Sequence, residues 1–275
     1  MRSKIKVIIA GAILITNTAQ GQDYTNLKFS SPLKYNPALT GLQNDTEINL
    51  RFTHLNSYFS QNSYNSLYGD FSQYSKKLHG GVGFYLNTGN RNNYNFTEGR
   101  LSYAFQNKIN DKWNYSIGSS LEFSAGVYKY GEQLESYVDT DLSVGGIVYS
   151  NRFFTSINAD NLLSKDQSFS VGVGREFNFN TNFSMTPSFD LISNYGSLGF
   201  KTNVAMRYKK FNFGLGYNNG RLNANVGYDF KKLRVNYSIG NIGNGFEKYN
   251  LHEVSLKFRL NNGSTTRTKF NFNLF

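Results

Sequence analysis

The chain has 275 residues, and 29 Lys and Arg against 18 Asp and Glu give it a formal net charge of +11 at pH 7. It contains no cysteine, which excludes disulfides and a lipid-modified cysteine anchor. The 24 Phe and 20 Tyr stand against one Trp and three Pro. The basic residues are scattered and form no run, so the charge predicts basic turns and a basic interior and no nucleic-acid partner.

The first 21 residues have the pattern of an export signal. MRSKIK carries three basic residues, VIIAGAILI is continuously apolar, and Ala19-Gln20-Gly21 supplies the small residues of a cleavage site. The apolar run is too short for a membrane-spanning helix, which needs about 20 residues. Residues 1–21 are therefore predicted to be a signal peptide, with the mature chain starting at Gln22.

Residues 22–45 precede the first regular segment and contain the stretch SPLKYNPALTG. Two of the three prolines, Pro32 and Pro37, lie in it. Proline lacks a backbone donor and restricts the residue before it, so the stretch is predicted to be extended and unpaired. Gly41 then permits the bend into the first strand.

Residues 46–260 alternate apolar and polar side chains with the period of β-strands. Fourteen strands are predicted, at 46–55, 63–74, 78–87, 95–107, 113–127, 141–149, 152–160, 167–179, 183–193, 197–208, 211–218, 222–230, 232–240 and 251–260. A soluble sandwich would bury the apolar faces, whereas an outer-membrane barrel would turn them toward lipid. The aromatic bulk of these faces, the Gly- and Asn-rich polar faces and the export signal favour the all-β transmembrane barrel, located in the outer membrane.

Connections and charges fit that architecture. The longer connections, 56–62, 88–94, 128–140, 161–166 and 241–250, all fall at one end, and short Lys-rich turns fall at the other, predicted periplasmic, end. The polar faces carry seven cations that are predicted to line the lumen in ion pairs: Arg51, Arg100, Lys201, Arg207, Arg234, Lys257 and Arg259.

Residues 22–45 form either a rigid lead-in or a plug that places Leu33, Tyr35 and Leu39 in this lumen. Residues 261–275 form a tail or an additional strand.

The sequence offers no catalytic constellation. The three histidines have no zinc-protease spacing, and the serine nucleophile motif GxSxG is absent. The acidic stretch YKYGEQLESYVDTD could in principle bind calcium, but it lacks a fixed ligand spacing, so a solvated external loop is the preferred interpretation. We therefore predict neither an enzyme nor a cofactor or metal.

Four stretches together resemble the PorP/SprF family of type IX secretion outer-membrane proteins. They are SPLKYNPALTG followed by EINLRF with Arg51, KKLHGGVGFYL, FFTSINADNLLS and HEVSLKFRL. They occur in the family's order over most of the mature chain. The chain departs from the family pattern at Leu39-Thr40, where small residues are usual, and in its additional tail.

The resemblance implies a role in secretion and not in catalysis. Such a barrel would anchor or receive a secreted surface adhesin or cargo protein with a C-terminal sorting domain, including adhesins used in gliding motility, together with other type IX components. An outer-membrane transport channel for hydrophobic compounds or small solutes is the alternative. The candidate partner-binding or plug residues are Pro32, Leu33, Tyr35, Asn36, Pro37, Leu39, Gly41, Tyr128, Tyr130, Tyr137 and Tyr249. The tyrosines among them could instead form an interfacial girdle against membrane lipid.

Overall fold

A computed structural model of the protein describes residues 32–43, 46–57, 63–130, 133–194, 197–218, 221–242 and 249–260. The predicted signal peptide, residues 1–21, and the predicted tail, residues 261–275, lie outside the described residues. The regular elements of the described residues are one α-helix, one 3-10 turn at Pro37–Leu39 and fifteen strands. They are α1 Pro32–Tyr35, β1 Thr46–Ser57, β2 Ser63–Ser75, β3 Gly80–Arg91, β4 Tyr94–Lys108, β5 Asn114–Tyr130, β6 Gln133–Tyr149, β7 Phe153–Asp160, β8 Ser168–Arg175, β9 Phe177–Asn178, β10 Phe183–Asn194, β11 Ser197–Tyr208, β12 Phe211–Asn218, β13 Arg221–Phe230, β14 Leu233–Ile242 and β15 Tyr249–Leu260.

The strands form a closed antiparallel barrel. Each wall strand pairs with the next one in sequence, with β8 pairing to β10, and β1 also pairs with β15, with Thr46 opposite Leu260. Fourteen strands make the wall, and the two-residue β9 is an additional piece. The prediction of a 14-stranded membrane barrel is thus confirmed. Among the described residues, no helix is both long and apolar enough to cross a bilayer.

The predicted strand 167–179 is divided into β8 and β9 by the third proline of the chain. Ser188 lies opposite Gly174 and Met185 lies opposite Phe177, so both pieces share one register with β10. In that register Pro187 lies opposite Arg175, the last residue of β8, beside the break at Glu176. Proline has no N–H to donate to a ladder, and the pairing of β8 with β10 ends next to it. On its other side Glu176 still continues the pairing with β7, because its N–H donates to the Arg152 carbonyl at 2.8 Å.

The two faces of the wall differ as the sequence alternation predicts. In β1, Leu50 and Phe52 are 44% and 49% exposed on the outer side, whereas Asn49 and Arg51 are each 3% exposed on the inner side. The same alternation recurs in the burial pattern of the other strands. Apolar side chains therefore face lipid, and a polar lumen lies within.

Two connections predicted as loops are strand. Residues 88–94 and 128–140 belong almost entirely to β3, β4, β5 and β6, which are joined at 92–93 and 131–132. Residues 88–93 are polar or glycine on both faces, and the outer face of 134–140 has only Leu134 and Val138 between polar residues, so the alternation gives a weak apolar signal. A tilted strand crosses the membrane in about 10 residues, whereas β5 and β6 have 17 each. Their hairpin consequently projects beyond the membrane at the end that is predicted to be external, which is called the external end below.

Candidate functional site

Residues 32–43, here called the luminal segment, fold into two short helical turns. Helix α1 begins at Pro32, and a 3-10 turn begins at Pro37. The extended path expected from these prolines is wrong, because proline also suits the first position of a helix, where its missing N–H has no partner to lose. Asn36 lies between the turns, and its side-chain oxygen accepts from the Ala38 N–H at 2.9 Å. Gly41 has a φ of +65°, which favours glycine at the bend.

The luminal segment lies inside the barrel and is buried against the wall. Leu33 is fully buried against Tyr68 of β2 and Tyr85 of β3. Ala38 and Leu42 pack into a second cluster that contains Phe154 of β7. Because these contacts come from several strands, the segment acts as a small core for a lumen that is otherwise polar.

The segment also reaches the opposite wall. Ala205 of β11 belongs to the same cluster as Ala38. The Lys201 ammonium, also from β11, lies 5.2 Å from the centre of the Tyr35 ring. A cavity of about 30 Å³ remains between Tyr35, Leu39 and this wall, room for roughly one water molecule. The luminal segment therefore crosses the lumen.

Hydrogen bonds from the wall satisfy the backbone of the luminal segment. The Arg100 guanidinium donates to the Leu33 carbonyl at 2.9 Å, and the Ser116 hydroxyl donates to the Ala38 carbonyl at 2.7 Å. The Gln106 side-chain amide donates to the Thr40 carbonyl at 2.7 Å, and in the reverse direction the Asn36 side-chain amide of the segment donates to the Ile157 carbonyl of β7 at 2.9 Å. Buried carbonyls need such partners, so these bonds define one position for the segment.

Inward-facing glycines make room for the luminal segment. A Cβ built on Gly118 would lie 2.5 Å from the Pro37 carbonyl carbon. A Cβ on Gly81 would overlap the Thr40 carbonyl, and one on Gly145 would overlap the Asn36 side chain. The sequence analysis did not single out these glycines. The detectable signal was glycine on the polar face of a strand, which marks a close approach of another backbone.

We expect Gly145→Ala to displace the luminal segment, because the new methyl group would occupy the position of the Asn36 amide. Overpacking of this kind costs about 1 to 3 kcal/mol. Limited proteolysis of the folded barrel should then cleave residues 32–43 several times faster than in the parent protein. Gly146→Ala is the matched control, since its Cβ would meet the outward Ile157 side chain and the Ser116 carbonyl at ordinary distances, 3.4 Å or more. Equal cleavage of both variants would show that Gly145 does not position the segment.

A buried charge network surrounds the first turn of the luminal segment. Arg100 is 3% exposed and pairs with Glu122 at 2.5 Å and with Asp160 at 3.3 Å. Lys34 of the segment pairs with Glu98 at 2.7 Å. Both the backbone and a side chain of the segment are thus tied to charges of the wall.

The other predicted luminal cations also lie on the inner face. Arg51 pairs with Glu253 at 3.6 Å and lies over the Tyr68 ring at 4.6 Å, Arg234 pairs with Asp229 at 2.5 Å, and Arg259 pairs with Glu47 at 3.2 Å. Lys257 is buried, at 4% exposure, and Arg207 lies on the same strand face as buried Ala205. Lys201 lies opposite Asp190 in the β10–β11 register. Ion pairing of this kind braces the interior of the barrel.

Five stacked rings line the inner side of the external hairpins, and we call them the aromatic wall. Its members are Tyr64, Phe96, Tyr94, Tyr128 and Tyr137. The ring centres of Tyr94 and Tyr128 are 4.2 Å apart, those of Tyr94 and Phe96 are 5.8 Å apart, and those of Tyr64 and Phe96 are 5.8 Å apart. The hydroxyls of Tyr94 and Tyr137 are hydrogen-bonded to each other. The wall therefore joins three external hairpins into one surface.

The aromatic wall faces the barrel axis. Tyr94 lies on the same strand face as buried Arg100, and Tyr137 lies on the same face as buried Asp141. Gly126 beneath the rings keeps room for them, because a Cβ there would contact both Tyr94 and Tyr137. The sequence analysis placed Tyr128 and Tyr137 in a loop, and the side chains of Tyr130 and Tyr249 are not described.

Among the described residues, no cluster of His, Asp and Glu could hold a metal ion.

Comparison with known proteins supports both the family and the fold. A family model described as type IX secretion system membrane protein PorP/SprF matches residues 16–258. No curated sequence is similar enough to count as a match.

Three similar solved structures are a FadL homologue from Pseudomonas aeruginosa, the toluene transporter TodX from Pseudomonas putida and the monoaromatic hydrocarbon channel CymD. Their identities are 8%, 8% and 10%, and their TM-scores are 0.53, 0.55 and 0.54. The matches cover 83%, 86% and 84% of this chain and 94%, 95% and 92% of the other chains. At such identities the likeness concerns the fold alone.

Proposed function

Because this chain belongs to the PorP/SprF family of type IX secretion system membrane proteins, we propose that it anchors or receives a secreted surface protein. The barrel is an outer-membrane protein, and its role in this proposal is to hold cargo and not to catalyse a reaction. The partner class is a large adhesin or cargo protein that carries a C-terminal sorting domain. Adhesion or gliding would follow from retention of that partner at the cell surface.

The observation that carries the proposal is the luminal segment. Residues 32–43 cross the lumen, and four hydrogen bonds to the wall fix them. A conduit needs an open path, whereas an anchor needs a rigid frame with an external binding surface. The buried ion pairs of Arg51, Arg100 and Arg234 provide such rigidity.

The aromatic wall is the surface that we assign to the partner. Tyrosine and phenylalanine are enriched in protein interfaces because their rings bury a large area at low entropic cost. Tyr128 and Tyr137 remain 37% and 38% exposed, so the wall has free contact area at the external mouth. Glu135 and Asp139 lie on the same face and are exposed, which adds acidic contacts at the rim and favours a basic patch on the partner.

The alternative, a transport channel, has less support. The similar solved structures include hydrocarbon channels by name, but they share only the fold with this chain. A channel for small solutes would require the luminal segment to leave the lumen. Electrical recording of the purified intact protein would separate the two functions, since steady open steps are expected only of a channel.

We expect the double variant Tyr94→Ala with Tyr137→Ala to release the surface partner. The substitutions remove two stacked rings and the hydrogen bond between them. Hot-spot aromatics contribute about 2 kcal/mol or more to binding, so retention should fall at least tenfold. The measurement is the ratio of cell-bound to released sorting-domain protein in cells that express each variant at equal barrel level.

A photo-crosslinking amino acid, incorporated at one of two neighbouring positions, tests the same surface with a matched control. At position 137 it lies on the inner face, in the aromatic wall. At position 138, the control, it replaces Val138, which is 80% exposed on the outer face. The proposal predicts crosslinks to a secreted sorting-domain protein from 137 and far fewer from 138. Equal yields from both positions, or none from 137, would contradict the assignment of the wall.

A further inference from the structure

Lysines are concentrated at the periplasmic end of the barrel, in turns that follow one another around the rim. Residues 76–79, 108–113, 209–210 and 231–232 each contain two lysines, and all of these lysines are exposed. We call these four turns the basic collar. The strand order β11-β12-β13-β14-β15-β1-β2-β3-β4-β5 places them along one continuous arc. Asp111 is the one carboxylate in them.

Two collar lysines lie at turn positions where other residue types are usual. Lys209 has a φ of 55° and Lys231 has a φ of 39°. Two-residue hairpin turns usually place Asn or Gly in this left-handed region, because a longer side chain is strained there. The same Lys-Lys pair occupies two neighbouring turns, so both turns carry positive charge at a position where Asn or Gly would be less strained.

The collar borders the lipid-facing aromatic residues of the barrel. The Lys209 ammonium lies 5.5 Å from the centre of the Tyr208 ring, which is 49% exposed on the outer surface. Arg175 is similarly placed over the exposed ring of Phe177, at 5.1 Å. These cations thus point along the membrane-facing side of the rim and away from the lumen. Aromatic rings of this kind mark the depth of the lipid headgroups.

None of the collar lysines forms an ion pair with a carboxylate among the described residues. Their charges are available to a ligand, and phosphate is the anionic group present at headgroup depth. We propose that the basic collar binds the phosphate groups of anionic lipid headgroups in the leaflet at the periplasmic end. The collar orients the barrel in the membrane and gives it a preference for anionic lipid on that side.

The single tryptophan of the chain allows a direct test. Trp113 lies in the collar turn 108–113, beside Lys112, and its ring packs against Phe153 on the outer side. Its fluorescence can therefore be quenched by brominated lipids that bind at this rim. In phosphatidylcholine vesicles, we expect brominated phosphatidylglycerol to bind at least about twofold more strongly than brominated phosphatidylcholine.

The preference should fall to about one in Lys108→Gln with Lys112→Gln, and it should persist in Lys165→Gln, which changes an exposed lysine at the external end. An equal affinity for both brominated lipids in the parent protein would overturn the proposal. That outcome would leave an acidic periplasmic protein as the ligand class to examine. Persistence of the preference in the double variant would also overturn the role of these lysines.

A second pair of substitutions separates lipid binding from turn stability. Lys209→Asn with Lys231→Asn should raise the unfolding temperature in neutral detergent, because Asn tolerates a positive φ better than Lys. The same variant should lose most of the additional stabilisation that phosphatidylglycerol gives to the parent protein. A purely structural role for these lysines predicts that the unfolding temperature changes while the additional stabilisation by phosphatidylglycerol stays as in the parent protein, and that result would contradict the proposal.

Discussion

Removal of residues 32–43 should open a conducting pore through the barrel. The segment crosses the lumen between β2–β7 and β11, and it takes no part in the pairing of the wall strands. The barrel should therefore still form, while the space that holds Leu33, Ala38 and Leu42 fills with water. In planar bilayers we expect resolved open steps from the deletion variant and no steady conductance from the intact protein.

Two controls make this result interpretable. The deletion variant must retain the compact, heat-sensitive migration of a folded barrel on gels. A chain in which Leu33 and Tyr35 are changed to Ala, with the segment retained, should give an intermediate frequency of openings. An intact protein that conducts as strongly as the deletion variant would show that the luminal segment does not close the pore.

Replacement of Arg100 by Met should destabilise the barrel by about 3 to 5 kcal/mol, the usual effect of breaking a buried ion pair from one side. The change leaves Glu122 and Asp160 without their shared cation, and it leaves the Leu33 carbonyl without its donor. Methionine retains most of the apolar stem, so little packing is lost. The free energy of unfolding should be measured by urea titration of the protein in lipid vesicles.

Neutralising the carboxylates should restore part of that loss. In the triple variant that adds Glu122→Gln and Asp160→Asn, the uncompensated charges are gone, and we expect recovery of at least half of the destabilisation. Arg152→Met, in an exposed periplasmic turn, should change stability by about 0.5 kcal/mol or less. A triple variant no more stable than the single one would show that Arg100 acts through packing and not through charge.

The wall of the barrel was predictable because its signal is local. Alternation with period two reports the lipid-facing and luminal faces directly, as the opposite burial of Phe52 and Arg51 shows. The membrane imposes this contrast on every crossing strand. The count of fourteen strands followed from it, and within the membrane-crossing part of the wall the break near Pro187 is the main departure from what the alternation indicated.

The external hairpins and the luminal segment were not predictable in the same way. Beyond the membrane neither face of β5 and β6 needs to be apolar, so Tyr128 and Tyr137 were assigned to a loop. The helical turns at Pro32 and Pro37 depend on partners more than sixty residues away, such as Arg100 and Ser116. Proline restricts the backbone locally, but these long-range bonds decide which of its allowed conformations is adopted.

The most direct test of the account is the protein composition of the cell surface. Cells that lack this barrel should lose at least one large secreted protein with a C-terminal sorting domain from their surface, and that protein should appear in the medium or accumulate in the periplasm. Expression of the intact chain should restore it, whereas the variant Tyr94→Ala with Tyr137→Ala should not. A surface composition that is unchanged by removal of the barrel would contradict its role as an anchor or receptor.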